Sequence, residues 1–303
     1  MQSVPPARPI FEIDGLDAHL KANAATAAEI AAVKSLADDG YAVIDLPGVS
    51  GDQIDAIREA VAPLFEGGNY NRVQDAWLHT PAIGELARAS AILRLLELAY
   101  GRKPFPFQTL NFYRGSRQGA HSDAIHFFAR PAGFMAGVWI ALEDIHPDSG
   151  PLFYYPGSHK LPSMTPQNMG ITKSRPTVDD YNAINPTHIA ALVDEHGLKA
   201  ETRAIKKGQA IIWAANLLHG GEVVKDPSRT RQSLVVHYFF DGCDYFTPMW
   251  SSPSFTWRRL PFEVGSRAMK WPKVDGRPIW PGMRTLANAL RHRLARQPRR
   301  FER

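Results

Sequence analysis

His121-Ser122-Asp123, a distant His219 and Arg231 are the residues of this chain whose types and spacing could do chemistry together. Two imidazoles and one carboxylate can bind one side of a metal ion and leave the other side open, the donor set of a non-haem Fe(II) oxygenase. In an extended segment residues i and i+2 point the same way, so His121 and Asp123 can reach one ion from a single strand end. The third donor must then come from a remote strand. His219 qualifies because it follows the apolar run Gln209-Ala-Ile-Ile-Trp213 and opens a turn at Gly220-Gly221. A lone His-x-Asp triplet is usually a surface or capping feature, and a lone strand-end histidine usually bonds to backbone, so the weight rests on their order and context.

Arg231 extends the set. If the oxidant is generated from 2-oxoglutarate, the keto acid end chelates iron and the far carboxylate needs a fixed cation, which the planar fork of an arginine supplies through two parallel hydrogen bonds. Arg231 immediately precedes Gln232-Ser-Leu-Val-Val-His-Tyr-Phe-Phe240, a β-branched and aromatic run. Arg229 competes for the role, and both could decorate the loop Lys225-Asp-Pro-Ser-Arg-Thr230. Spacing does not separate them.

These groups meet only if the chain supplies a scaffold with a common mouth. From Phe107 onward short β-like runs alternate with glycine and proline, at 108–113, 134–142, 152–155, 201–205, 210–214 and 232–240. Short, regularly spaced strands of this kind predict a double-sheet jelly roll. Upstream, the pattern predicts a helix over 20–36 stopped before Gly40, a strand over 41–46, a helix capped by Ser50 or Asp52 and running to Phe65, and a helix over 82–100. The segment 164–199 is polar and loop-like with a helix expected near 189–196, and it is a candidate lid. After Phe246 come Trp250, Trp257, Trp271 and Trp280, expected to pack on the barrel or on a second subunit. The expected architecture is therefore α+β with a β-rich core, one catalytic domain over residues 1–303. Residues 1–104 are its mainly helical N-terminal flank and 105–245 its double-stranded β-helix (jelly roll, cupin-like) core. Residues 246–303 are a C-terminal extension with a basic tail.

With these motifs in place the chain resembles the phytanoyl-CoA dioxygenase family of Fe(II)- and 2-oxoglutarate-dependent oxygenases over roughly residues 105 to 240. Trp139 stands in Gly137-Val-Trp-Ile-Ala-Leu142, followed by Asp148-Ser-Gly-Pro-Leu152, Pro156-Gly-Ser-His-Lys160 and Lys206-Lys-Gly-Gln-Ala210, each similar to a family motif. The resemblance implies that His121, Asp123 and His219 are iron ligands and catalytic, and that Fe(II), 2-oxoglutarate and O₂ are the cofactor and cosubstrates. It favours Arg231 over Arg229 as the carboxylate anchor, from its distance to His237-Tyr238, and places Gln108 and Trp139 against the cosubstrate. Relatives often carry a serine where this chain has Gly221, so that contact is absent or comes from another group, Thr109 or Ser233 being the candidates. Because the ligand Asp123 is present, the resemblance implies hydroxylation rather than halogenation. Phe127, Phe128, Trp139, Tyr154, Tyr155 and Trp213 are expected pocket-wall aromatics, and Asn111 a substrate contact. His126 and His159 are expected to be hydrogen-bonded structural histidines.

Composition bounds the rest. The 303 residues are 44% hydrophobic, enough for a sizeable core. The single cysteine, Cys243, excludes an internal disulfide framework and, with an opening segment that lacks an apolar core and no run long enough to span a membrane, predicts a cytoplasmic protein. Net charge is +5, but seven arginines fall between Arg284 and Arg303 against one acid, Glu302, a tail read as a solvated helix end with anionic-surface contact as the lesser alternative. Nucleic acid is not an expected partner, since aromatic residues are not interleaved with the basic ones. The expected partner is a small-molecule metabolite. Two rivals use the same residues: a cupin-like zinc hydrolase, which needs an added carboxylate base, and a non-catalytic metabolite- or lipid-binding barrel.

Overall fold

Local signals in the sequence set most helix boundaries in the computed structural model, which describes residues 5–66, 70–173, 176–252, 254–274, 276–294 and 299–302. The helix expected over 20–36 is two, α1 (Leu16–Ala22) and α2 (Ala27–Asp39). The break is chemical. Thr26 Oγ1 accepts from Glu29 N at 3.2 Å while Glu29 Oε2 accepts from Thr26 N at 2.8 Å, a reciprocal cap that starts a new helix. α2 stops at Gly40, whose φ of 82° suits a residue without a Cβ. β1 (Tyr41–Asp45) follows, then α3 (Gly51–Val61), which begins with the same device at Ser50 and Gln53 and buries Ile54, Ile57 and Val61. Beyond β2 (Tyr70–Gln74), the helix expected over 82–100 is also divided, into α4 (Pro81–Leu86) and α5 (Ser90–Tyr100), because Ala89 between them is extended with ψ 132°.

The next part of the chain holds β3 (Pro104–Phe112), β4 (Phe128–Arg130), β5 (Met135–Ala141), β6 (Leu152–Tyr154), α6 (Val178–Glu195), β7 (Glu201–Thr202), β8 (Gln209–Ala214), β9 (His219–Gly221), β10 (Ser233–Phe240) and β11 (Asp244–Phe246). The chain ends with β12 (Lys273–Val274), β13 (Arg277–Pro278), α7 (Met283–Leu294) and β14 (Arg299–Glu302). The strand expected over 201–205 is only the two residues of β7. The helix expected near 189–196 is α6, which starts at Val178 under a Thr177–Asp180 cap and carries Pro186 inside it.

The largest sheet is antiparallel with strand order β1-β8-β5-β10-β3-β2-β14. A smaller antiparallel sheet has the order β7-β6-β9. The class is α+β with antiparallel sheets. β10 is the central strand and is buried along its whole length. Its side chains alternate: Leu234, Val236 and Tyr238 join an apolar cluster with Leu36, Ile54 and Leu96 of the helices. Val235 joins a second cluster with Trp139, Ile211, Trp213 and, from the smaller sheet, Tyr154. Burying an aliphatic or aromatic side chain of this size contributes about 1.5–3 kcal/mol, so both faces of the sheet are anchored. The helices therefore cover one face and the two sheets enclose the other. Among the described residues no helix is long and apolar enough to cross a membrane.

Candidate metal centre and the pocket around it

His121 and His219, remote in sequence, are joined by backbone. His121 N donates to His219 O at 2.9 Å and His219 N to His121 O at 3.0 Å, an isolated antiparallel bridge that sets the two rings 4.4 Å apart. Asp123 follows two residues after His121 at the start of a short 3₁₀ turn. One ligand atom from each of His121, Asp123 and His219 lies within 4.8 Å of the others, and all three residues are buried. His121 Nε2 is 3.9 Å from Asp123 Oδ1 and His219 Nε2 is 3.9 Å from Asp123 Oδ2.

The second nitrogen of each ring fixes the first. His121 Nδ1 is 2.9 Å from Gly119 O and His219 Nδ1 is 3.0 Å from Leu217 O. A carbonyl only accepts, so each Nδ1 carries the proton and each Nε2 presents a lone pair toward the carboxylate, the arrangement that orients a metal-binding histidine. Burial, then the neighbouring His219 ring, pushes the His121 imidazole down to about 3, so it is neutral at neutral pH. For Asp123 burial alone would raise the value, but the imidazoles of His219, His237 and His121 hold it well below the usual carboxylate range. Two imidazole nitrogens and one ionised carboxylate converging on one point fit a divalent ion.

Two supports of the carboxylate lie outside the expected ligand set. Trp213 Nε1 donates to Asp123 Oδ2 at 2.8 Å. The indole can lie there because Gly137, its neighbour across β5 and β8, has no side chain; a Cβ at 137 would collide with the ring. His237 places Nε2 3.6 Å from Asp123 Oδ2 and Nδ1 3.0 Å from Gln108 Oε1. Trp213 was expected only as a wall and His237 only as a marker of spacing. The alternation of β10 carried the signal, because Arg231, Val235 and His237 fall on one face.

A cavity of about 310 Å³ opens from these three side chains and is also lined by Gln108, Trp139, Trp213 and Arg231. Arg231 is only 1% exposed, and Nη1 donates to Gly150 O at 2.8 Å. Its guanidinium pairs with no carboxylate among the described residues, and burial pushes it down to about 10. Arg229, by contrast, is 45% exposed and paired with Asp226 at 3.0 Å, outside this cavity. Arg231 Nε and Trp139 Nε1, on this wall, are buried without a hydrogen-bond partner, as is Ser233 Oγ, which does not line the cavity. Buried donors are seldom left unpaired, so this wall is suited to an anionic, hydrogen-bond-accepting ligand.

Gly221 is explained by a neighbour. A Cβ there would stand 2.6 Å from Ser116 Oγ, so the Ser116 hydroxyl occupies the space a side chain at 221 would take. Ser116 lines the cavity. Thr109 does not: on β3, Gln108, Leu110 and Phe112 face the cavity, which turns Thr109 and Asn111 to the opposite face, next to Asp75 and Val73. Thr109 is thereby removed as the replacement and Asn111 as a substrate contact.

The other expected wall residues divide. Phe127 and His126 line the cavity, with the His126 ring 5.3 Å from Tyr181 of α6. Phe128, Tyr154 and Tyr155 do not line it; Phe128 packs on Phe246 and Tyr154 on Tyr41. His159 bonds Ala37 O at 3.3 Å, away from the site. Trp257 and Trp250 line a second cavity described below, whereas Trp271 and Trp280 are exposed and face each other. Of the tail, the side chains beyond Arg291 lie outside the described residues.

Comparison with known proteins places this geometry in context. Residues 25–232 match the family described as Phytanoyl-CoA dioxygenase (PhyH). Phytanoyl-CoA dioxygenase domain-containing protein 1 of Danio rerio is 27% identical over 150 residues, 49% of this chain and 47% of that protein. Ectoine dioxygenase of Halomonas elongata is 23% identical over 214 residues, 62% of this chain and 64% of that protein. The chain thus spans less than two thirds of the length of these curated relatives. Among solved structures, the epimerase SnoN from nogalamycin biosynthesis, in complex with Fe3+, alpha ketoglutarate and nogalamycin RO, aligns with a TM-score of 0.58 at 20% identity. That alignment covers 72% of this chain and 86% of SnoN, and the likeness is one of fold.

Proposed function

Because this chain belongs to the phytanoyl-CoA dioxygenase family, we propose that it is an Fe(II)- and 2-oxoglutarate-dependent oxygenase that hydroxylates an unactivated C–H bond of a small-molecule metabolite. Two antiparallel sheets around a shared apolar interior are the layers of a double-stranded β-helix, and residues 105–245 are read as that jelly roll within one catalytic domain. The single observation that carries the reading is that the three converging ligand groups and a buried guanidinium without an acidic partner line one cavity.

In this reading His121 Nε2, the Asp123 carboxylate and His219 Nε2 hold the metal. Fe(II), when bound, supplies the oxidising chemistry with O₂ and 2-oxoglutarate, whose products are succinate and CO₂. Every other task falls to the chain. Arg231 holds the far carboxylate of 2-oxoglutarate, with Ser116 as a hydroxyl donor on the same wall. Trp139 and Gln108 contact the cosubstrate, and Gln108 also steadies His237 behind Asp123. Trp213 keeps the carboxylate oriented. Trp139, Trp213 and Phe127 exclude water. Asp123 occupies the position that a halide would need, which favours hydroxylation. α6 and its flanks serve as a lid: Asn185 Nδ2 donates to Ala120 O at 2.8 Å, one residue before His121. A zinc hydrolase is disfavoured because Asp123 is the only acid among the residues lining this cavity, leaving no separate carboxylate base.

Anaerobic titration of the metal-free protein with Fe(II) and 2-oxoglutarate tests the proposal. A visible metal-to-ligand charge-transfer band should appear and be lost in Arg231→Met with iron still bound. No band in the unaltered protein, with iron bound, overturns it.

A further inference from the structure

A second cavity, of about 700 Å³, shares Gln74, Gln108, His126 and Phe127 with the metal pocket, so the two are adjoining chambers. Its size suits a drug-sized metabolite. The outer wall is built from Thr247 to Arg291, beyond the stretch matched by the family. The substrates of relatives therefore say little about this chamber, and its own residues must be read.

Those residues are cationic and aromatic. Four arginines, Arg258, Arg259, Arg267 and Arg291, line it against one acid, Asp75. Asp75 is already engaged by Gln74 Nε2, Trp77 Nε1 and Thr109 N. Arg258 is held by Asp244 at 3.1 Å. Arg259 differs: its side chain donates to Thr247 Oγ1 at 3.1 Å and lies over the Phe127 ring at 4.8 Å, and it pairs with no carboxylate among the described residues. Burial pushes its guanidinium down to about 10, a sign that this cation lacks compensation. Trp250 and Trp257, with ring centroids 5.5 Å apart, stand on the same wall.

We propose that this chamber is the substrate site and that it takes an anion, a carboxylate or phosphate head on Arg259 carried by a planar or apolar body against Trp250 and Trp257. The body then reaches past Phe127 and His126 toward His121, Asp123 and His219. This rests on the oxygenase reading of the inner pocket. The reaction balances: one atom of O₂ enters the substrate C–H bond as hydroxyl, and the other enters 2-oxoglutarate as it loses CO₂ and leaves as succinate. The anionic head is unchanged, so its role is binding and orientation.

Three probes with one aromatic body test it: 1-naphthaleneacetate, 1-naphthyl phosphate and neutral 1-naphthylmethanol. They are titrated calorimetrically into the full chain saturated with 2-oxoglutarate and Mn(II) in place of iron. At least one anion should bind about tenfold or more tightly than the alcohol, and the tighter of the two names the head group. Arg259→Gln should abolish that preference and Arg259→Lys should keep part of it, while the Fe(II)–2-oxoglutarate band persists in both. Trp250→Leu, at an exposed wall position, should weaken all three probes several-fold and provides a second test if Arg259→Gln does not fold. Equal binding of alcohol and anions, or an anion preference that survives Arg259→Gln, overturns the proposal. Loss of the band in the unaltered protein would instead overturn the oxygenase reading, because probe binding is measured independently of it.

Discussion

The inner and outer chambers share a wall but are made differently. Around His121, Asp123 and His219, orientation is fixed by backbone: a two-residue strand bridge, carbonyl acceptors for both Nδ1 atoms, and an indole laid over a glycine. The outer chamber is framed by the extension after β11, where regular structure is sparse and the working groups are long arginines, the exposed Trp250 and the half-buried Trp257. Groups that must hold an ion to within fractions of an ångström are placed on paired strands. Groups that only need to recognise a charged end sit on a segment free to vary. The contrast teaches that the chemistry and the choice of substrate are separable here, and mutations should fall into the same two sets.

The largest effect is expected at the ligands. His219→Ala should reduce bound iron to a small fraction and succinate formation by more than about a thousandfold, measured by metal analysis and single turnover. Iron retained at full stoichiometry would break the inner half of the comparison. Next, Arg231→Met should weaken 2-oxoglutarate about a hundredfold by removing a buried bidentate pair, with iron affinity within about twofold. Neither Arg231 nor Arg259 pairs with a carboxylate among the described residues, so a cosubstrate affinity that follows Arg259 instead would reverse the roles of the two chambers. Trp213→Phe should lower iron affinity about tenfold by freeing Asp123 Oδ2, without changing probe selectivity in the outer chamber. Ser116→Ala should cost 2-oxoglutarate affinity only about three- to tenfold, since one neutral hydrogen bond is lost.

The smallest effect lies outside both chambers. Burial, then Lys160, pushes the His159 imidazole down to about 4. A histidine whose folded value lies below its unfolded one binds more protons when unfolded. Its contribution is therefore intact above about 6.5 and declines as pH falls toward 4. His159→Gln should flatten the melting temperature over that window, and an unchanged pH slope would show that other groups set it.

The triad was legible in the sequence because its cues are local: an i, i+2 pair and a histidine after an apolar strand. The turn expected at Gly220-Gly221 is instead part of strand β9, the chain turning earlier at Ala215-Asn216. Arg231 was one of two candidates by spacing, the family resemblance favoured it, and it is Arg231, buried, rather than the exposed Arg229 that lines the cavity. Thr109 was avoidable, since period-two alternation forbids it from sharing a face with Gln108. The division of the first long helix was also readable, because Thr26 and Glu29 form a capping box whose signature is sequential. α6 was obscured by Pro186, which argues locally against the helix that tertiary packing of Tyr181 and Ile189 sustains. Ser116 and the Trp213 bond to Asp123 depend on which strands become neighbours, and no residue-level cue states that. The outer chamber was least legible, since four arginines and two tryptophans scattered over the extension acquire a common purpose only when folded.

One measurement bears on the centre of the account. Anomalous diffraction from crystals grown anaerobically with Fe(II) and 2-oxoglutarate should give a single iron peak bonded to His121 Nε2, Asp123 and His219 Nε2, with the far carboxylate on Arg231. Iron bound elsewhere, or the cosubstrate seated on Arg259 with Arg231 still unpaired, would contradict it.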